Sequence, residues 1–241
     1  MLPDLYGYRA RIGLIYTSTS TVMEPECYAM APEGVSIHTT RVELARVTVE
    51  ELRKLAERTA EAARVLAMAP LHSMVFGCTS GSFVEGRSYD ERIVETMRAA
   101  TGGLPVTTTA SAAANGLRAV GAQRIVLATP YLEEVTARGA AYFAEQGFEV
   151  LATSSLGFEN DHDIGRMSPE RVYAQARELD RPDADAVFIS CTNLRTVAIL
   201  QELEEDLAKP VVSANQASFW EALRLAGIGE PILGFGRLLQ L

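Results

Sequence analysis

An internal repeat constrains the fold of this chain more than any other feature of the sequence. Residues 11–17 (RIGLIYT) resemble residues 124–130 (RIVLATP), and residues 78–80 (CTS) resemble residues 191–193 (CTN), both at an offset of 113 positions. Buried strands often resemble one another because Val and Ile dominate them. Cysteine is rarer, with three in 241 residues. Its recurrence at the offset of the first strand therefore favours a true duplication.

Short apolar runs alternate with segments of helical periodicity along the chain. The predicted strands are residues 11–16, 35–42, 73–77, 124–128, 149–155, 185–190 and 210–212. The predicted helices are residues 48–67, 89–101, 132–146, 168–179, 196–207 and 217–226. This alternation gives parallel sheets covered by helices. Together with the repeat, it predicts an α/β fold of two similar Rossmann-like lobes, each with a parallel four-stranded sheet. The lobes are expected to be related by an approximate two-fold axis, with the active site in the cleft between them.

The repeat also predicts where the lobes divide. We expect an N-terminal lobe over residues 1–115 and a C-terminal lobe over residues 116–241, with residues 213–241 able to pack back on the first lobe. Hydrophobic residues make up 48% of the chain, which is enough for the cores of one or two domains.

Charge and composition exclude several classes of partner. The formal net charge of −9 argues against nucleic acid, because phosphate contacts need clustered Lys and Arg. A local group of backbone N–H donors can still bind a small carboxylate on an acidic protein. No apolar run approaches the roughly 20 residues that span a bilayer, and residues 1–11 lack a signal pattern. We therefore expect a cytoplasmic protein without membrane or nucleic-acid partners.

Two of the three cysteines occupy matched positions in the repeat. Cys78 and Cys191 each follow a predicted buried strand. The carboxyl ends of parallel strands meet at one edge of a sheet, where open α/β folds bind ligands. We expect residues 79–82 to form a loop whose N–H groups turn inward and lower the pKa of the thiols. Cys27, outside the repeat, is interpreted as a small packing residue.

Two cysteines that face each other support two kinds of chemistry. A thiolate and a thiol on opposite sides of a carbon form a base and an acid that can move a proton between its faces. Alternatively, one thiolate attacks a carbon while the other cysteine delivers a proton. Neither route needs a metal or an organic cofactor, so we expect none. The three scattered histidines and the absence of a CxxC pair also argue against zinc.

Four motifs resemble the aspartate/glutamate racemase superfamily, and within it the maleate cis-trans isomerase and arylmalonate decarboxylase branch. They are GCTSGSF at residues 77–83, SCTN at 190–193, ATPY at 128–131 and STSTVMEPE at 18–26. The resemblance covers essentially the whole chain and implies a homodimer acting on a small carboxylate or dicarboxylate. It implies that Cys78 is the nucleophile and Cys191 the acid/base. The substrate-binding residues that it implies are Ser18, Ser20, Thr79, Ser80, Tyr131, Thr192 and Asn193.

The same resemblance contains one departure and one discriminating feature. Maleate isomerases usually have Ser-Ser-Asn where this chain has Ser18-Thr19-Ser20, so a shorter side chain replaces the amide that binds a carboxylate. Decarboxylases of the branch have glycine at the first cysteine position. Cys78 therefore favours a maleate isomerase-like reaction, while an amino-acid or hydantoin-type racemase and an arylmalonate-type decarboxylase stay open as alternatives.

Two further segments are interpreted from their polarity alone. Residues 160–163 (NDHD) form an acidic cluster near the mouth of the cleft, which we interpret as a solvated loop. Residues 165–168 precede a predicted helix and are expected to form either a lid or a plain surface loop.

Overall fold

Two parallel sheets of the same strand order form the centre of the computed structural model, which describes residues 6–241. The first sheet, in the order β2-β1-β3-β4, contains β1 (Ala10–Thr17), β2 (Val35–Val42), β3 (Ser73–Gly77) and β4 (Val106–Thr108). The second, in the order β6-β5-β7-β8, contains β5 (Arg124–Tyr131), β6 (Glu149–Phe158), β7 (Ala186–Ile189) and β8 (Val211–Ser213). Neighbouring strands pair in parallel in both sheets. The prediction of two similar α/β lobes with parallel four-stranded sheets is therefore confirmed.

Helices connect the strands and cover the sheets. In chain order they are α1 (Met23–Met30), α2 (Val49–Arg53), α3 (Leu55–Leu66), α4 (Thr79–Phe83), α5 (Arg87–Ala100), α6 (Thr109–Ala119), α7 (Glu133–Glu145), α8 (Asp161–Gly165), α9 (Pro169–Leu179), α10 (Leu200–Leu207) and α11 (Ala214–Leu225). The hydroxyl group of Thr48 accepts a hydrogen bond from the N–H of Glu51, and Ser168 caps α9 in the same way. Thr48 and Ser168 are the first residues of the helices predicted over residues 48–67 and 168–179, and both have the side chains that favour the N-cap position. None of the helices in residues 6–241 has both the length and the apolarity needed to cross a bilayer.

Two predicted segments next to a cysteine have a different structure, and α1, β4, α6 and α8 form where the sequence predicts no helix or strand. The predicted loop at residues 79–82 is the helical turn α4, because the N–H and hydroxyl groups of Ser82 both donate to the carbonyl oxygen of Cys78, at 3.0 and 2.8 Å. The helix predicted over residues 196–207 begins only at Leu200. Its expected first turn is a loop because the N–H groups of Thr196 and Val197 donate to the carboxylate of Glu26.

The last helix of the chain packs against the first sheet. The hydroxyl group of Ser73 on β3 donates to the carbonyl oxygen of Ala222 on α11 at 2.7 Å, and Thr107 on β4 donates to the carboxylate of Glu221 at 2.8 Å. We propose the same division of the chain as before, with lobes over residues 1–115 and 116–241, and the boundary between them stays a prediction.

Candidate active site

Cys78 lies at the junction of β3 and α4, where it is the N-cap residue of the short helix. Its side chain is buried, and the thiol is hydrogen-bonded by the N–H of Gly81 and the hydroxyl group of Ser80. Burial nevertheless raises the pKa of Cys78 to about 12, because transfer from water disfavours the thiolate more than these two hydrogen bonds favour it. The N–H of Gly81 does act to lower the pKa of the thiol, as expected, but burial outweighs it and the net shift is upward.

Cys191 follows β7 in a backbone conformation that favours glycine. Its φ is 117°, in a region that L-residues other than glycine rarely adopt. The thiol accepts a hydrogen bond from the N–H of Asn193 at 3.4 Å and interacts with the hydroxyl group of Tyr131. Burial raises the pKa of this thiol as well. The second cysteine is thus also neutral and held in a defined orientation.

The two cysteine loops are in direct contact across the lobes. The hydroxyl group of Thr192 donates to the carbonyl oxygen of Gly77 at 3.2 Å, which joins the residue after one cysteine to the residue before the other. The charge of Cys78 raises the pKa of Cys191, and Tyr131 and Asp161 interact electrostatically with both thiols. The structure therefore places the two cysteine loops in contact, with both cysteine side chains buried.

Tyr131 is the last residue of β5, and it separates the apolar core from the thiols. Its ring packs edge to face against Phe83, with the centroids 6.2 Å apart. Its hydroxyl group accepts a hydrogen bond from the side chain of Ser190 at 3.4 Å. Burial and the neighbouring thiols raise its pKa, so the phenol stays neutral and can donate a hydrogen bond.

Two of the predicted binding residues contain buried hydroxyl groups that have no hydrogen-bond partner among the described residues, namely Ser20 and Thr79. Leaving a buried polar group unsatisfied costs roughly 1–3 kcal/mol. Thr79 adjoins Cys78, and Ser20 lies between Thr19, which donates to Asp161, and Thr21, whose N–H donates to Asn193. Both hydroxyl groups therefore have hydrogen-bonding capacity that the described residues do not use.

The remaining predicted residues differ in exposure. Asn193 is buried and fixed, because its side chain accepts from the N–H of Thr21 at 3.2 Å and donates to the carbonyl oxygen of Asp161 at 2.8 Å. Ser18 is exposed, and its hydroxyl group bonds to the backbone of Leu44. Cys27 is buried in α1, and burial raises its pKa.

Two buried carboxyl groups near the cysteine loops have no counterpart among the sequence-predicted site residues. The interpretation of residues 160–163 as a solvated loop is wrong for Asp161, which is only 3% exposed. The signal that could have found it is Asn160, a capping residue that starts helix α8. The second group is Glu26, whose carboxylate accepts four hydrogen bonds from the segment after Cys191 and from Asn215.

The donor chemistry of the site contains thiols, hydroxyls, amides and carboxyls, without a metal-binding arrangement. Across residues 6–241, no cluster of three or more His, Cys, Asp or Glu side chains is placed to hold a metal ion. The site can supply two thiols for proton transfer or nucleophilic attack and neutral donors for carboxylate oxygens.

A family model, related sequences and solved structures all show similarity to arylmalonate decarboxylases or maleate isomerases. The arylmalonate decarboxylase family model matches residues 12–239. A maleate isomerase of Geobacillus stearothermophilus is 29% identical, over 95% of this chain and 97% of its own length, and an arylmalonate decarboxylase of Bordetella bronchiseptica is 39% identical over 67% and 68%. The structure of a Nocardia farcinica maleate cis-trans isomerase variant with a covalently bound succinylcysteine intermediate superposes with a TM-score of 0.91 at 28% identity. That match covers 96% of this chain and 98% of the other.

Proposed function

Because the chain belongs to the arylmalonate decarboxylase family, whose model covers residues 12–239, we propose that it is a cofactor-independent cis-trans isomerase of a small dicarboxylate, of the maleate isomerase type. The observation that carries the proposal is the contact between the two cysteine loops, which places both thiols beside the same tyrosine and the same aspartate. The succinylcysteine intermediate of the Nocardia farcinica enzyme supports covalent chemistry at such a site.

The first half of the reaction uses Cys78 as the nucleophile and Cys191 as the acid. The thiol of Cys78, which is neutral in the free protein, first loses its proton to solvent. The thiolate then attacks one alkene carbon of maleate, and a C–S bond forms as the π electrons move toward the neighbouring carboxylate. The thiol of Cys191 then protonates the adjacent carbon, which gives a succinyl-cysteine adduct. The hydrogen bonds from Gly81 and Ser80 stabilise the sulfur of Cys78 while it is anionic.

The second half reverses these steps after rotation. The former double bond is now single, so the carbon–carbon bond can rotate by half a turn. The thiolate of Cys191 removes a proton from the carbon that it protonated, the C–S bond breaks, and fumarate leaves with Cys78 as the departing thiolate. Cys78 regains a proton from solvent, so atoms and charge balance over the cycle and both cysteines return to their neutral starting forms.

Neutral donors bind the substrate carboxylates in this scheme. The unpartnered hydroxyl groups of Ser20 and Thr79 and the phenol of Tyr131 supply hydrogen bonds, and Ser80, Thr192 and Asn193 support the two cysteine loops. Ser18 is assigned a weaker contribution at the rim, because its hydroxyl group is bound to Leu44. The shorter donor at Ser20 leaves more room beside one carboxylate than the asparagine of typical maleate isomerases.

Decarboxylation of a substituted malonate is the second candidate function. It is favoured by the 39% identity to the arylmalonate decarboxylase of Bordetella bronchiseptica. It requires only Cys191, as the acid that protonates the carbanion after carbon dioxide leaves. Cys78 has no part in that reaction, which is why isomerisation is the better proposal.

Cysteine variants assayed on a substrate panel in heavy water distinguish these functions. We expect conversion of maleate to fumarate, lost by at least about 10²-fold in both Cys78→Ala and Cys191→Ala and retained in Cys27→Ala. Carbon dioxide release that survives Cys78→Ala but not Cys191→Ala would identify a decarboxylase. Deuterium exchange at Cα of an amino acid or a hydantoin, with loss of optical rotation, would identify a racemase. Isomerisation that survives Cys191→Ala would contradict the mechanism.

We further propose a cytoplasmic homodimer without nucleic-acid or membrane partners. The three cysteines are free thiols, as suits a reducing compartment, and the net charge of −9 disfavours nucleic acid. Light scattering of the purified protein is expected to give about twice the chain mass of 26.1 kDa. A monomeric mass would contradict the proposed assembly.

A further inference from the structure

Asp161 is a buried carboxyl group in the proposed active site that the reaction scheme does not use. It is the first residue of α8 and is 3% exposed, whereas its neighbours His162 and Asp163 are exposed. Its carboxylate accepts a hydrogen bond from the hydroxyl group of Thr19 at 2.5 Å. The helix therefore directs one acidic side chain inward and leaves the next one in solvent.

Hydrogen bonds through Asn193 join the main chain of Asp161 to the thiol of Cys191. A negative charge on Asp161 raises the pKa of Cys78 and of Cys191, and its main-chain carbonyl oxygen accepts from the side chain of Asn193, which in turn bonds to the thiol of Cys191 through its N–H. Asp161 therefore belongs to the same buried, hydrogen-bonded cluster as Asn193 and Cys191.

No cation balances this carboxyl group. Among residues 6–241, Asp161 forms no ion pair with a lysine or arginine, and the groups that face it from other elements are Thr19, Asn193 and the two cysteine thiols. Within the part of the chain that the structure describes, the cationic group that acts on it is His162 of its own helix. Burial raises the pKa of Asp161, while the hydrogen bonds from Thr19 and Asn193 and the charge of His162 act in the opposite direction. An ionised Asp161 beside substrate carboxylates would be strongly repulsive.

We propose that Asp161 is a specificity-determining residue that makes the site bind a dicarboxylate together with one proton. The proton comes from solvent and resides on the carboxyl oxygen of Asp161 that does not accept from Thr19. The neutral carboxylic acid then donates a hydrogen bond to the substrate carboxylate that would otherwise be repelled. This inference rests on the proposed dicarboxylate substrate and adds that the substrate binds together with one proton.

Succinate is a saturated dicarboxylate that cannot isomerise, so its binding tests the proposed proton uptake without turnover. If succinate binds together with a proton, binding must weaken as the pH rises, because fewer protons are available. This loss occurs between the pKa of Asp161 in the free protein and its pKa in the complex. Relative to Asp161→Asn, whose amide donates at every pH, the Kd of the wild type should rise about tenfold per pH unit over at least one unit between pH 5 and 9. The ratio of the two Kd values cancels the titration of succinate itself, because that titration affects both proteins equally.

Calorimetry in two buffers of different ionisation heat provides the independent readout. The wild type should take up close to one proton more than Asp161→Asn at the pH where their Kd values diverge most steeply. Asp163→Asn is the matched control, because it makes the same change on the same helix at an exposed position and should behave as the wild type. His162→Gln should also keep the extra proton, which excludes the imidazole as its acceptor.

The outcomes separate this inference from the proposed function. Equal pH dependence and equal proton uptake in the wild type and Asp161→Asn would overturn the role of Asp161 and leave the isomerase proposal intact. Absence of succinate binding to every variant would remove the dicarboxylate substrate, and with it the inference. Thermal unfolding of Asp161→Asn near the wild-type temperature ensures that the comparison is between folded proteins.

Discussion

Gly81 determines how closely the backbone of α4 can approach the thiol of Cys78. A β-carbon at this position would lie 2.8 Å from Sγ of Cys78 and 2.8 Å from Cδ1 of Leu55. Contacts this short do not persist, so one of the neighbours has to move. Because the N–H of Gly81 is also a hydrogen-bond donor to the thiol, the sulfur is the neighbour whose movement matters.

We expect Gly81→Ala to lower kcat for isomerisation by about 10- to 100-fold, since a displacement near 1 Å in an active site costs rates of this order. The free energy of unfolding should fall by a similar amount, about 1–3 kcal/mol for overpacking. Gly229→Ala is the matched control, because its β-carbon would have no heavy atom within 4 Å and its backbone is not in the left-handed region. An unchanged kcat in Gly81→Ala would show that the position of this sulfur is not critical.

Residue types were easier to predict than residue environments. The repeat and the polar character of residues 77–82 were sufficient to select Cys78 and Cys191, because residue identity and spacing are visible in the sequence. The raised pKa values and the burial of Asp161 depend on which atoms surround a group after the lobes pack together. A run such as NDHD contains no information on which of its carboxyl groups faces inward.

At the scale of elements, helix α1 holds the loop that carries the second cysteine. Its Glu26 accepts hydrogen bonds from the N–H groups of Thr196 and Val197 at 2.5 and 3.1 Å, and from the side chains of Thr196 and Asn215 at 3.0 and 2.6 Å. A helix that follows β1 thus fixes a loop that follows β7. The carboxylate replaces the helical carbonyl partners that these N–H groups would otherwise need.

We expect Glu26→Gln to lower the free energy of unfolding by about 2 kcal/mol, because an amide NH₂ would face donors that need an acceptor. It should also lower kcat about tenfold with little change in KM, since the loop that loosens positions Cys191 and not the unpartnered hydroxyl donors. Steady-state kinetics and urea unfolding measure the two effects. Glu24→Gln on the same helix is the control, because Glu24 bonds to Tyr16 and Thr39 within its own lobe. Equal effects in both variants would contradict a specific role for Glu26.

Several helices and strands remote from the cysteines agree closely with the sequence prediction. The strands at residues 35–42 and 73–77 have the predicted bounds, and the helix after Ser168 ends at Leu179 as expected. The prediction omits α1, β4, α6 and α8, and it is wrong at α4 and at the start of α10. In both places a tertiary hydrogen bond or a local turn at the site overrides the periodicity, which reports only which face of a segment is apolar.

At the scale of the whole molecule, duplication explains why one site can contain two similar cysteines. Each sheet presents the end of its third strand in chain order, β3 or β7, to the other lobe, and each of these strands is followed by a cysteine and a threonine. Because the two sheets have the same topology, Cys78 and Cys191 occupy equivalent positions in the two lobes. The residues around the two cysteines nevertheless differ. Cys78 caps a helix, whereas Cys191 occupies a strained backbone position. Similar residues can thus take the unequal roles of nucleophile and acid.

The three buried thiols make the stability of the molecule sensitive to alkaline pH. Burial raises the pKa of Cys27, Cys78 and Cys191 above the value in the unfolded chain. A group whose pKa is raised by folding stabilises the protein fully below its unfolded pKa, and this contribution is lost as the pH rises toward the folded pKa. Above about pH 9, the unfolded chain releases protons that the folded protein keeps, so each thiol lowers the free energy of unfolding by about 1.4 kcal/mol per pH unit.

Cys27 offers a direct measurement of this effect, because it lies outside the proposed active site. We expect the free energy of unfolding of Cys27→Ala, measured in urea from pH 8 to 11, to fall less steeply than that of the wild type by up to about 1.4 kcal/mol per pH unit. Cys27→Ser should show the same reduced slope with a different offset, since cavity formation and a buried hydroxyl group cost different amounts at every pH. Parallel curves for all three proteins would mean that Cys27 ionises as readily in the folded state as in the unfolded chain. Such a result would also weaken the assignment of neutral thiols at Cys78 and Cys191, because the same physical cause, burial, raises the pKa of all three.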